Sequence, residues 1–178
     1  MKRAMMVVGA CGLVIGGLAL GGLRADRPSE AAANEAFERL KALEGSWLMC
    51  DDEGKLTEEI GSVYHVTAGG AAVVETMFPG QPHEMLTVYF VEEGTLRMTH
   101  YCMLGNRPEL DATRIDGTTI DWACGEGSVC CGSEQHMHAA TFDLSGQDRI
   151  TTTWRGDAEG EDKHEVTFIL QRAPGAAR

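Results

Sequence analysis

The chain contains none of the short motifs that mark nucleotide, redox or serine-hydrolase chemistry. It has no Rossmann glycine fingerprint, no phosphate-binding loop, no Cys-x-x-Cys pair and no Ser-His-Asp order. Those absences remove the commonest sequence-legible routes to dinucleotide, nucleoside-triphosphate and thiol-exchange chemistry. Positive charge is also scarce, with 15 Lys+Arg against 27 Asp+Glu. Such a balance repels nucleic acid and anionic membranes, so neither is an expected partner. After Gly45 no long stretch carries helical periodicity and no internal repeat is found, which argues against helical bundles and solenoids.

What is present begins with an address. Lys2 and Arg3 precede an apolar run from Met5 to Leu23, the pattern of a secretory signal, and Ala25 offers a small residue before a cut. Residues 1–25 are therefore read as a signal peptide and the product as periplasmic or extracellular. An uncleaved membrane anchor is the rival, because 19 apolar residues can just span a bilayer. Cleavage after Ala25 removes three basic residues and no acidic one, leaving 12 Lys+Arg against 27 Asp+Glu, a net of −15. Five cysteines remain: Cys50, Cys102, Cys124, Cys130 and Cys131. Export permits disulfides, and the odd count leaves at least one thiol unpaired in a monomer. A bridge from Cys124 to Cys130 or Cys131 is the reasonable pairing, since adjacent cysteines rarely bond each other.

Residues 26–33 read as a flexible spacer, and Asn34 as the cap of a short helix over 35–43 that Gly45 ends. From there ten β-rich runs follow, at about 46–51, 59–67, 71–78, 84–92, 95–103, 109–115, 118–124, 136–143, 149–155 and 164–172. Gly69-Gly70, Glu93-Gly94 and Asp116-Gly117 suit tight hairpins between them. Consecutive hairpins build an up-and-down antiparallel sheet, and closing it removes the exposed edges. The reading is one all-β domain, 34–173, forming a ten-strand lipocalin or fatty-acid-binding-like barrel with a disordered tail at 174–178. The competing architecture is a β-sandwich or open roll.

One hairpin organises the rest. With Glu93-Gly94 as a two-residue loop, Thr87 faces His100, Tyr89 faces Met98 and Met85 faces Cys102. Cross-strand neighbours lie about 4.5–5.5 Å apart at Cβ, so these six form one surface. Leu86, Val88, Phe90, Thr99 and Tyr101 form the other. Both are largely apolar, which predicts a hairpin covered on both sides. At the ends of the sheet, Trp47 follows Gly45, and Arg172 ends the last strand. Arg172 is expected across the Trp47 ring, sealing the barrel floor by a cation–π contact.

Gly45-x-Trp47 and the terminal Arg172 resemble the calycin superfamily of lipocalin-like barrels. More narrowly, four motifs run in order: Thr67-Ala-Gly-Gly-Ala-Ala-Val-Val-Glu-Thr-Met-Phe-Pro-Gly80, His83-Glu-Met85, Thr99-His-Tyr-Cys-Met-Leu-Gly-Asn-Arg-Pro108 and His136-Met-His138. Together, over roughly Phe37 to Arg172, they resemble a bacterial family of exported proteins of unknown function. The resemblance implies a barrel and an export route, and brings no activity. The cysteine-rich segment 123–132 departs from that pattern.

Three chemistries compete for the lumen. Glu75, Thr87, Tyr89, Met98, His100 and Cys102 could together orient the polar head of a small, mostly apolar ligand. The bland counterpart is an internal hydrogen-bonded pair that holds strand register. The first alternative is a metal or haem protein. His136 and His138 have a spacing seen in metal sites, with His83 as a further donor for zinc, and His100 would be the axial ligand of a haem. The second is an enzyme using Glu75 and His100 for proton transfer.

Overall fold

A computed structural model describes residues 27–125, 135–157 and 164–175. The signal segment 1–25 and Cys130 and Cys131 lie outside them. A helix, α1 (Glu30–Lys41), precedes ten strands: β1 (Gly45–Cys50), β2 (Leu56–Thr67), β3 (Ala72–Met77), β4 (Met85–Glu92), β5 (Thr95–Tyr101), β6 (Glu109–Asp116), β7 (Thr119–Cys124), β8 (His136–Asp143), β9 (Arg149–Asp157) and β10 (His164–Arg172). Each strand pairs antiparallel with its sequence neighbours, and β10 returns to β1, so the sheet is a closed up-and-down barrel. The ten expected strands all form.

The helix is longer than its sequence suggests. It starts at Glu30, capped by Ser29, whose hydroxyl accepts from the Ala32 amide at 3.2 Å. The spacer assigned to 26–33 therefore gives way to a first helical turn, and Asn34 is interior rather than the cap. Ala33, Ala36, Phe37 and Leu40 are buried at helical spacing, while Glu35–Arg39 and Glu38–Lys41 pair on the outside, each at 2.7 Å. The helix crosses one end of the barrel. Glu30 lies beside Gly94 and Lys41 near Gly70, two turns of that end. Among the described residues, no helix is long and apolar enough to cross a membrane.

Strand alternation turns one face of every strand inward. In β3, for example, Val73, Glu75 and Met77 are buried and their neighbours half-exposed. The interior holds all three tryptophans, Trp47, Trp122 and Trp154, with Tyr64, Tyr89 and Phe142, each such side chain contributing about 1.5–3 kcal/mol by burial. The Leu170 and Met49 side chains pack close over Gly61, where a Cβ would stand 2.6 Å from atoms of both. The floor is sealed as expected: Trp47 pairs with Arg172 across β1 and β10, and the guanidinium lies 4.5 Å above the indole.

The organising hairpin has the anticipated register. Thr87 faces His100, Tyr89 faces Met98, and the pairing extends from Leu86–Tyr101 to Glu92–Thr95. One expectation fails. The outer surface is not covered, since Leu86, Val88 and Phe90 are half-buried and Tyr101 is 45% exposed. A barrel has one interior, so only one face of the hairpin is enclosed.

Candidate functional site

Register carries four polar side chains to one place in the lumen. Tyr64 on β2 pairs with Glu75 on β3, Glu75 with Thr87 on β4, and Thr87 with His100 on β5. Ser62 and Tyr89 are one inward step away on β2 and β4. All six are buried. Ser62 Oγ donates to Glu75 Oε1 at 2.6 Å, and Tyr89 Oη donates to Glu75 Oε2 at 2.5 Å. Thr87 Oγ1 and His100 Nδ1 share a hydrogen bond of 2.9 Å. No hydrogen bond from a described residue reaches His100 Nε2.

Burial governs the protonation of this group. It raises the Glu75 carboxyl above its ordinary range, and the bonds from Ser62, Tyr89 and Tyr64 oppose the rise without cancelling it. It lowers His100 to about 4, so the imidazole is neutral at physiological pH. Tyr64 and Tyr89 are pushed well above 10, first by burial and then by the Glu75 charge beside them. Glu75 makes no ion pair with any Lys, Arg or His among the described residues.

Aromatic rings surround the polar group. His100 lies 5.0 Å from Trp154, Trp154 5.3 Å from Phe142, Phe142 5.6 Å from Trp122, and Trp122 5.8 Å from Tyr89. Among the ring-bearing side chains of the interior, Trp122 Nε1 and Trp154 Nε1 have no hydrogen-bond partner, whereas Tyr64 Oη lies beside Glu75 and Ser62 and interacts with both. The other residues assigned to the site are distributed differently. Met98 is buried beneath the polar group, toward α1. Cys102 is a half-buried free thiol beyond the end of β5, in the turn closed by Gly105 N donating to Cys102 O at 3.0 Å. The pairing of Met85 with Cys102 is absent from the ladder, because β5 stops at Tyr101 and the chain turns away.

The metal candidates lie elsewhere. His83 packs its ring 4.7 Å from Phe78, in the turn after β3. His136 and His138 are on β8 with ring centroids 6.1 Å apart, and His138 is the extra residue of a bulge between Met137 and Ala139. Among the described residues, no three His, Cys, Asp or Glu side chains gather where a metal could be held. Cys124 is disulfide-bonded, while Cys50 and Cys102 are free. A separate groove of about 330 Å³ lies outside the floor, between Arg39, Ala42 and Leu43 on one side and Leu144, Gln147 and Arg172 on the other.

Ser62, Tyr64, Trp122 and Trp154 are additions to the residues the sequence pointed to. Tyr64 was within reach: counting back from the Gly69-Gly70 turn, as from Glu93-Gly94, places it opposite Glu75. The tryptophans were not, because a bulge between Ala112 and Arg114 breaks such counting along β6 and β7. No family model matches the chain, and no curated protein matches it.

Proposed function

We propose that the barrel binds a small, mostly apolar molecule in its lumen, with the molecule's polar head at Glu75, Tyr64 and His100. The observation that carries this reading is the set of buried polar atoms left without partners inside an otherwise aromatic interior. An unsatisfied buried donor costs about 1–3 kcal/mol, so the two indole N–H groups of Trp122 and Trp154 favour a molecule that supplies acceptors to them. A bound molecule with acceptor atoms would satisfy Trp122 Nε1 and Trp154 Nε1. The apolar remainder of that molecule would lie against Trp and Phe rings, as in ligand pockets generally. The signal-like run at 5–23 and the excess of acidic residues support a periplasmic or extracellular carrier.

Nile red tests the reading, because its emission rises in an apolar, dry pocket. The purified protein should bind it with saturable stoichiometry. His100→Ala should weaken that binding while the far-UV circular dichroism is retained, and Tyr101→Phe, on the outer face, should leave it unchanged. Equal effects from both substitutions, or none from either, would assign the hairpin to scaffold alone.

A further inference from the structure

We infer that the turn between β5 and β6 is a lipid-contacting tip, which sets that end of the barrel against a phospholipid surface without net charge. β5 runs away from α1, so the turn stands at the end of the barrel opposite the helix. Among the described residues five large hydrophobic side chains are exposed, and three of them are here: Tyr101 at 45%, Met103 at 61% and Leu104 at 48%. A fourth, Val166, is on the part of β10 that rises to the same end. Hairpin turns ordinarily use Gly, Asn, Asp, Pro or Ser, which suit both the bend and the water. In this turn Gly105 takes the positive φ, 81°, and Met103-Leu104 stands at the tip. Apolar side chains scattered singly need no explanation, whereas a cluster on one protruding turn marks a contact surface.

The turn is braced. His100 N donates to Pro108 O at 2.9 Å and Cys102 N to Asn106 O at 3.0 Å, extending the pairing past the ends of the strands, and Gly105 N closes the tip on Cys102 O at 3.0 Å. Asn106 Nδ2 donates to Gln135 O at 2.7 Å and ties the turn to the start of β8. Shape, size and charge then select the partner. Three side chains on a convex tip offer on the order of a few hundred Å², well under the roughly 800 Å² per partner of a stable protein complex. A bilayer asks for no matching surface. It takes Met and Leu at the acyl boundary and a tyrosine at headgroup level. Residues 101–106 carry no charge, while the chain holds 27 acidic against 15 basic residues. Anionic lipid therefore repels the body of the protein, and lipid without net charge accepts the tip.

Sedimentation with sucrose-loaded phosphatidylcholine vesicles tests the inference. The protein should co-sediment at millimolar lipid, and less of it should do so when about a third of the lipid is phosphatidylglycerol. Met103→Asp combined with Leu104→Asp should lower partitioning at least about tenfold, with circular dichroism and melting temperature retained because both side chains are exposed. A second readout uses the unaltered protein and decides the matter if the variant misfolds. Phosphatidylcholine vesicles should slow the oxidation of Met103 to its sulfoxide by hydrogen peroxide at least about threefold, measured by peptide mass spectrometry, since insertion shields the thioether. No vesicle binding, binding unmoved by the paired substitution, or Met103 oxidation unchanged by vesicles would each overturn the inference. Dimerisation without lipid that the paired substitution abolishes would overturn it too, assigning the tip to a second copy of the chain. The tip shares no residue with the polar group in the lumen, so failure of Nile red to bind there leaves it standing.

Discussion

The Arg172 guanidinium lies 4.5 Å above the Trp47 ring while donating to two backbone carbonyls, Glu44 O and Ala42 O, each at 2.8 Å. Trp47 Nε1 in turn donates to Leu43 O at 2.7 Å. The pair thus holds together the first strand, the last strand and the segment leaving α1. Trp47→Ala should cost about 3–5 kcal/mol, as for other large-to-small aromatic changes in a core. Arg172→Ala should cost less, and the two losses should be less than additive by about 0.5–2 kcal/mol because they share one contact. Arg172→Lys keeps the charge but not the planar fork that reaches both carbonyls, so it should not restore stability. A denaturant-unfolding double-mutant cycle measures all of these, and additive losses would mean that the contact carries no energy.

The Glu93-Gly94 turn has positive φ at both residues, 49° and 74°, the geometry of a hairpin turn whose twist matches its strands. Glycine occupies the second position at no steric cost, whereas Glu93 sits in the left-handed region with a side chain that disfavours it. Glu93→Asn should therefore stabilise the protein by about 0.5–1 kcal/mol, since asparagine tolerates that conformation better. Chemical denaturation should show a higher midpoint with an unchanged slope. A lower midpoint would show that the glutamate makes a compensating interaction.

The same turn explains what could be read in advance and what could not. Turn chemistry set the register of β4 against β5, and with it the meeting of Thr87 and His100, because two-residue loops leave no freedom in counting. The floor contact was legible for a similar reason: Trp47 and Arg172 mark the two strands that must meet when a meander closes. The start of α1 was not legible. Ser29 and Asn34 are both good caps, and the choice was made by Ala33 and Ala36 packing under the barrel, a tertiary effect invisible in local propensity. Cys102 was misplaced because pairing alone does not show where a strand ends. The tryptophan walls were missed because bulges shift the count and because β7 and β9 reach the site from distant sequence.

His100 gives the fold a dependence on acid. Its folded value of about 4 lies below the ordinary 6.5, so folding favours the neutral ring. The contribution is fully present above about pH 6.5 and is lost as pH falls through 4, by about 3 kcal/mol for a shift of this size. His100→Phe should remove that part of the acid sensitivity, at some loss of stability at pH 7 from the broken bond to Thr87. An NMR titration of the wild-type ring checks the cause directly. A midpoint near 6.5 would mean that water reaches the imidazole.

Glu75 acts on the opposite side of the same pH range, which makes the two residues separable. Its folded pKa is raised above the ordinary 4.5, so the proton is held more tightly in the folded than in the unfolded state. The stabilisation is fully present below about pH 4.5 and is lost as pH rises through the raised value, because the folded carboxylate is then charged, buried and without a cation. Glu75→Gln cannot ionise, so its melting temperature should not fall through this window, and the wild-type and variant curves should diverge progressively toward alkaline pH. In a His100→Phe background, where the imidazole no longer titrates, the divergence should be unobscured from pH 4 to 8. Parallel curves for the two proteins without ligand would mean that Glu75 is not a buried, uncompensated charge.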